Sequence, residues 1–333
     1  MRVVAHAPAS TSNLGGGFDC VGISVDRWLH LEARLKPAGE VDTTLTREGT
    51  LGELEGAAED DLLCVGFATA CRVARRALPG GLVLHASSDI PVGRGLGSSA
   101  AALVAGAGAA NALLDLGLDD ATIATLCAEI EGHPDNVGAC VHGGATLAVR
   151  GTDQSTILSP IPVHESLRLA FAVPDFKVDT HLARAALPSV ISHLDARRAV
   201  AASAALVLAL TSGDPALLRA GLEGPLHIPH RRPLVRGYDV VVQAVREAGG
   251  VGATLSGSGS AIVALATADD ATRVAAAMEA AWRAEGVTAV TFVSEPRTAG
   301  YRVERFDSDT STESRSSAYP ADAAHISEHE VTT

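Results

Sequence analysis

The stretch Ile90–Asn111, IPVGRGLGSSAAALVAGAGAAN, constrains this chain more than any other. It joins an alternating apolar run, Leu82–Ile90, to a long Ala-rich run of helical composition. Between them lies a turn with Gly93, Gly95 and Gly97, followed at once by Ser98 and Ser99. Glycines let a backbone bend sharply and turn its N–H groups outward. A helix that begins straight after such a turn offers unpaired N–H donors and the positive end of its dipole. Two readings follow. One is a phosphate cradle, with the serines capping the helix or reaching a metal ion. The other is a strand–turn–helix joint whose glycines serve only packing.

With 333 residues, 47% of them hydrophobic, the chain is long enough for one large domain or two ordinary ones. Aromatic residues are only 3%, so the core must be built from Ala, Val, Leu and Ile. The net charge is −13, and the stretch 307–333 holds six acids against Arg315 alone. An acidic body without a basic stripe excludes nucleic acid as the expected partner. No signal-like or membrane-spanning run is visible. The five cysteines form no CxxC pair, the pattern of reduced core thiols in a cytosolic protein. Lys36 and Lys177 are the only lysines, which rules out a GxxxxGK[ST] loop.

Along the chain, Arg2–Ala7 reads as a short strand and Pro8–Gly17 as a loop, because Pro, Ser, Asn and three glycines disfavour regular structure. Phe18–Leu35 alternates as a strand. Helices are expected over Asp60–Leu78, over the Ala-rich run and over Asp119–Ile130, the last ended by Gly132. EGHPDN, Glu131–Asn136, then leads to a glycine turn and the strand-like ATLAV. A soft boundary falls near Asp153–Ser159. Beyond it come a strand at Leu167–Val173, helices at Thr180–Leu187, Val190–Leu210 and Arg236–Ala248, and a strand–glycine turn–strand over GVGATLSGSGSAIVALA. A helix at Asp269–Glu285 and a strand at Val287–Val293 close the pattern. Clustered rather than alternating helices favour α+β architecture. After Phe306 the composition predicts a disordered acidic tail.

Three loops stand apart from this scaffold: Pro8–Asp19, Pro91–Ala101 and Gly252–Ile262. Each is rich in glycine and small hydroxyls and is flanked by strand-like runs. In this order, together with APASTSNLGGGFD and EGHPDNV, the set resembles the GHMP kinase superfamily, and most closely its homoserine kinase family. The resemblance covers roughly Val3 to Phe306. Two positions depart from the family pattern, Gly16 and Ser260, where proline is usual.

The resemblance implies a two-domain α+β fold, with a ribosomal-protein-S5-like domain over 1–155 and a ferredoxin-like domain over 156–306; the tail that composition predicts takes 307–333 and has no counterpart in the family. It implies ATP and Mg²⁺ as cofactors and L-homoserine as the small-molecule substrate of a cytoplasmic homodimer. Pro91, Val92, Gly93, Arg94, Gly95, Leu96, Gly97, Ser98, Ser99, Ala100 and Ala101 would wrap the ATP phosphates, with Gly257 and Gly259 of the third loop. Ser99 and Glu129 would hold the metal, and Glu131 competes with Glu129 for that place. Asn13, Asp19, His133, Arg184 and Arg231 would bind the substrate, with Arg232 an alternative to Arg231. Arginine suits bidentate capture of a carboxylate. Asp135 or Asn136 would orient the nucleophile. Mevalonate-type relatives carry a lysine where Ser10 and Thr11 stand here. A sister kinase for another small alcohol, such as threonine, and a non-catalytic amino-acid sensor are the rival readings. HIPH, His227–His230, is too short for a zinc site.

Overall fold

The computed structural model describes residues 1–37, 39–151 and 156–307. The chain opens with β1 (Arg2–Ser12), β2 (Val21–Leu35) and β3 (Thr44–Gly49). Then come α1 (Leu62–Val73), β4 (Leu82–Ser88), α2 (Ser98–Leu114), α3 (Asp120–Glu131), α4 (Asp135–His142), β5 (Ala145–Arg150) and β6 (Thr156–Ile161). The second half runs β7 (Leu167–Pro174), α5 (Thr180–Ala185), α6 (His193–Ser212), α7 (Pro215–Gly221), α8 (Ile228–Arg231) and α9 (Tyr238–Glu247). It ends with β8 (Gly252–Leu255), β9 (Ile262–Thr267), α10 (Ala271–Ala284), β10 (Ala289–Ser294) and β11 (Arg302–Phe306).

Two sheets organise these elements. The first follows the order β11-β1-β2-β4-β3, and β5 joins it by pairing with β2 and β6. At fifteen residues β2 is long enough to serve two partners along the edge opposite β1. Its first residues, Val21–Ile23, pair with β5 and its last, Leu29–Leu35, with β4. The second sheet is β10-β7-β9-β8, covered by α9 and α10. One mixed sheet, with β3 parallel to β4, and one antiparallel sheet, with helices gathered on their faces, give the α+β architecture.

The scarcity of aromatics is answered by close backbone packing. Nearly every residue of α2 is buried. A Cβ on Gly106 would stand 2.1 Å from the Leu63 carbonyl oxygen, and one on Gly66 would stand 2.3 Å from that of Leu103. So α1 and α2 touch along their backbones, and small side chains suffice to fill the core.

Several expectations shift. β1 runs on through Ser12, so the loop expected over Pro8–Gly17 begins only at Asn13. Ala9–Ser12 pair with Val25–Gly22, and the register slips between Pro8 and Ala9, the kind of irregularity where a strand tolerates proline. The boundary at 155/156 does not coincide with the sheets. β6 pairs with β5, and β11 returns from the chain's far end to pair with β1, so both belong to the first sheet. Of the tail, residues 308–333 lie outside the described residues.

Candidate active site

The three glycine-rich loops meet. Ser10 N donates to Leu96 O at 3.1 Å, Gly257 N to Ser12 O at 2.9 Å and Ala261 N to Arg94 O at 3.1 Å. Side chains tighten the junction: Thr11 Oγ1 and Ser256 Oγ are 2.8 Å apart, and Ser256 Oγ donates to Gly95 O at 2.7 Å. Gly95 and Gly97 both have positive φ, +77° and +66°. A Cβ on Gly95 would fall 2.0 Å from Ser256 O, and one on Gly97 2.1 Å from Ser10 Oγ. These two glycines therefore serve loop packing and helix entry together.

α2 starts directly behind Gly97 with no side-chain cap, so its first N–H groups stay available. They open on a cleft of about 400 Å³. Val92, Gly93, Gly95, Leu96, Gly97, Ser98, Ser99 and Gly257 line it. Pro91, Arg94, Ala100, Ala101 and Gly259 do not. Ala100, Ala101 and Gly259 are buried behind the lining. The Arg94 guanidinium instead donates to Pro174 O, Asp175 O and Val92 O, tying the second loop to the end of β7. Leu51, Leu54, Ala57 and Leu62 add an apolar part that the sequence reading missed. It also left the second loop without a lysine. In space one arrives from the other half: the Lys177 stem lies 3.3 Å from the place of a Gly93 Cβ, and its ammonium pairs with Glu53.

Glu129 is not the partner of Ser99. It is exposed, whereas Ser99 Oγ donates to Glu131 Oε1 at 2.5 Å. The two acids are two residues apart on a helix and so point in different directions. Glu131, the last residue of α3 before the left-handed Gly132, lines the cleft.

His133 and Asn136 stand in the cleft wall, with Asp135 behind them at 0% exposure. Asp135 Oδ1 accepts from His133 Nδ1 at 3.0 Å and from Asn136 N at 2.7 Å. Asp135 Oδ2 is buried without a partner among the described residues. Burial pulls the His133 pKa down. The hydrogen bond and charge of Asp135, with the charge of Glu131, outweigh that pull against Arg184, and the value ends above the ordinary one. The Asn136 side chain accepts from Ser10 Oγ at 3.0 Å and donates to Ser12 Oγ at 2.9 Å, which locks the end of β1 to α4.

Arg184 and Arg231 both line the cleft. Arg184 forks onto Asp19, with contacts of 3.0 and 3.2 Å. Asn13 Oδ1 accepts from Asp19 N at 2.9 Å, and both residues hold positive φ, +59° and +53°. Non-glycine residues rarely adopt this conformation, and it clusters at ligand sites. Arg231 is 1% exposed, and among the described residues its guanidinium hydrogen-bonds to carbonyls, Ala183 O at 3.2 Å and Gly257 O at 3.3 Å. Arg232 turns away to Asp239 on the surface.

One cleft thus joins three loops, an uncapped helix start and two arginines. Residues 64–144 match the GHMP kinases N terminal domain, and residues 205–284 match the GHMP kinases C terminal family. A homoserine kinase of Picosynechococcus sp. is 36% identical over 294 residues, spanning 87% of this chain and 95% of that protein. The chain belongs to the homoserine kinase family of GHMP kinases. A homoserine kinase of Thermus thermophilus is 37% identical over 293 residues, 87% of this chain and 96% of the relative. The crystal structure of homoserine kinase from Cytophaga hutchinsonii superposes with a TM-score of 0.82 at 29% identity, covering 91% of this chain and 97% of that one. As in its family, the chain is an ATP-using kinase with a small-molecule substrate. No described helix is long and apolar enough to cross a membrane.

Proposed function

We infer that this chain moves the γ-phosphoryl group of ATP onto the side-chain hydroxyl of L-homoserine, giving ADP and O-phospho-L-homoserine in threonine biosynthesis. The observation that carries this reading is Arg231, a buried guanidinium with no carboxylate partner among the described residues, set in the same cleft as the uncapped start of α2. A buried charge that touches no counter-ion is costly, and Asp19 and Asp135 act on this one only from a distance, so the site is built for an anion.

In this reading Arg184 and Arg231 take the substrate carboxylate and Asp19 its ammonium, while Asn13 and His133 complete the pocket. The N–H groups of Gly97–Ser99 face the phosphates, and the apolar part formed by Leu51, Leu54, Ala57 and Leu62 receives the adenine. Asp135 has no accessible surface, so it acts on the hydroxyl through its neighbours. It raises the proton affinity of His133 and holds the ring in place, and Asn136 orients the nucleophile from the cleft wall. Phosphoryl transfer has a loose, charge-spread transition state, so positioning and neutralisation carry most of the acceleration.

A divalent cation, Mg²⁺ in this reading, fits the hard-oxygen pair of Ser99 hydroxyl and Glu131 carboxylate beside the helix start. When bound, the ion would neutralise phosphate charge. Among the described residues no group of three or more His, Cys, Asp or Glu is placed to hold a metal, which leaves the other ligand positions to phosphate oxygens and water. Five free cysteines support a reducing compartment, the cytoplasm. A homodimer is part of the same reading, and light scattering on the purified chain tests it.

The deciding assay follows ADP release with L-homoserine, L-threonine, mevalonate and galactose in parallel. Homoserine turned over at least about a hundredfold more efficiently than mevalonate and galactose is the expected result, since both lack the ammonium that Asp19 would pair and a site built to hydrogen-bond a group rejects analogues without it on that scale or more; threonine keeps the carboxylate and the ammonium and tests the placement of the hydroxyl alone. Equal turnover of mevalonate, or stabilisation by homoserine without ADP release, would defeat the reading.

A further inference from the structure

One buried group beside Arg231, outside the cleft lining, has no role in this chemistry. His227 immediately precedes α8, and its ring lies nearly parallel to that of Phe18, with 4.9 Å between centroids and 19° between planes. A carbonyl only accepts, so His227 Nε2 carries the proton it donates to Gly15 O at 3.1 Å. Arg231 lies one helical turn on, its amide donating to His227 O at 2.9 Å. Its guanidinium carbon stands 5.0 Å from the centre of the same Phe18 ring. A single aromatic ring of the first loop is therefore touched by an imidazole and a guanidinium from the C-terminal half.

The other holds on Arg231 are the two long carbonyl contacts already described. Neither fixes the guanidinium plane as a bidentate carboxylate would. The loop residues before Phe18 are Gly15–Gly17, with no side chains to grip α8. The hydrogen bond to Gly15 and the stacked ring supply that grip. Burial, with the charge of Arg231, holds the His227 pKa down to about 3. At neutral pH the imidazole is uncharged and does not repel the guanidinium.

We propose that the Phe18–His227 stack aims Arg231 at the substrate carboxylate, so that Phe18 and His227 are positioning residues that set affinity for an amino-acid alcohol. This rests on the reading of Arg231 as the carboxylate ligand. The cation–π face holds the guanidinium in one orientation before substrate arrives, and the imidazole holds that face still. Arg231 then binds without first having to be ordered.

Steady-state kinetics with both substrates varied, alongside thermal unfolding, test this on Phe18→Leu, Phe18→Tyr, His227→Phe and Arg231→Ala. Phe18→Leu keeps apolar bulk but loses the π face, and should raise KM for homoserine about tenfold, the scale of a desolvated cation–π contact. KM for ATP and kcat should stay within about threefold of wild type, because the phosphate side of the cleft is untouched. Phe18→Tyr should restore KM, and His227→Phe, which keeps a ring but loses the donor to Gly15, should fall between. A KM for homoserine within about twofold of wild type in folded Phe18→Leu overturns the proposal, as does a loss shared by kcat and both KM values. Should the His227 variant fail to fold, the partly exposed Phe18 carries the test alone. Arg231→Ala separates the two ideas: an unchanged KM for homoserine there defeats the carboxylate reading itself, whatever the stack does.

Discussion

At the scale of single residues, the site depends on which way a few side chains face. Glu131 reaches Ser99 and Glu129 does not. Glu131→Gln should therefore lower kcat/KM by about a hundredfold or more, since ligands matter more than the outer-shell partners worth 10–100-fold. Glu129→Gln should stay within about twofold, as exposed substitutions do. The reverse order in an ADP-release assay would return the metal to Glu129. Asp135→Asn keeps an acceptor for His133 but removes the charge. A fall in kcat of about tenfold is expected, the difference between charged and neutral hydrogen bonds. A loss of 10³-fold would make Asp135 a general base. His227 gives a prediction in pH. Its folded pKa of about 3 lies below the ordinary 6.5, so the unfolded chain binds the extra proton between those values. The stability that follows is complete above pH 6.5 and is lost as pH falls toward 3. His227→Phe should flatten the acid limb of the unfolding curve by up to one proton, and an unchanged slope would mean that the imidazole is charged in the fold.

At the scale of elements, the glycine turn ahead of α2 does two jobs that sequence alone could not separate. Gly97→Ala would add strain of about 1–2 kcal/mol for positive φ. It would also press a methyl onto Ser10 Oγ, 2.1 Å away. A lower Tm together with lost activity is expected in thermal unfolding and kinetics, and a variant with wild-type Tm would show the loops standing apart. Which elements were legible follows from the same physics. α1 and α3 announced themselves by acidic starts, with arginines closing α1 and Gly132 closing α3, and α6, α9 and α10 by helical composition; all lie within about five residues of expectation. The strand at Ala9–Ser12 was hidden because its polar residues answer to distant partners. Ser10, Thr11 and Ser12 are buried against Asn136 and Ser256, contacts that no local pattern encodes. α4 was missed for a similar reason. Its opening, Asp135–Asn136, reads as a turn, yet both residues are buried by neighbours far along the chain. Short strands such as β3, β6 and β11 carry little apolar alternation and exist through pairing alone.

At the scale of the molecule, the cleft exists because both halves contribute to it. The first half brings the glycine turn ahead of α2, Asn13 and Glu131. The second brings Arg184, Arg231 and Gly257, with Arg94 anchoring the junction. Three motifs spread from Pro8 to Ile262 could be read as one site only because their joint resemblance to a family exceeded what any one carried. The apolar wall at Leu51–Ala57 had no such signature. The most direct test is a crystal structure of the chain with L-homoserine and a non-hydrolysable ATP analogue. The account predicts the homoserine carboxylate on Arg184 and Arg231, its hydroxyl beside Asn136, and the terminal phosphate at the N–H groups of Gly97–Ser99. Homoserine bound away from both arginines, or a nucleotide whose phosphates leave the start of α2 empty, would contradict it.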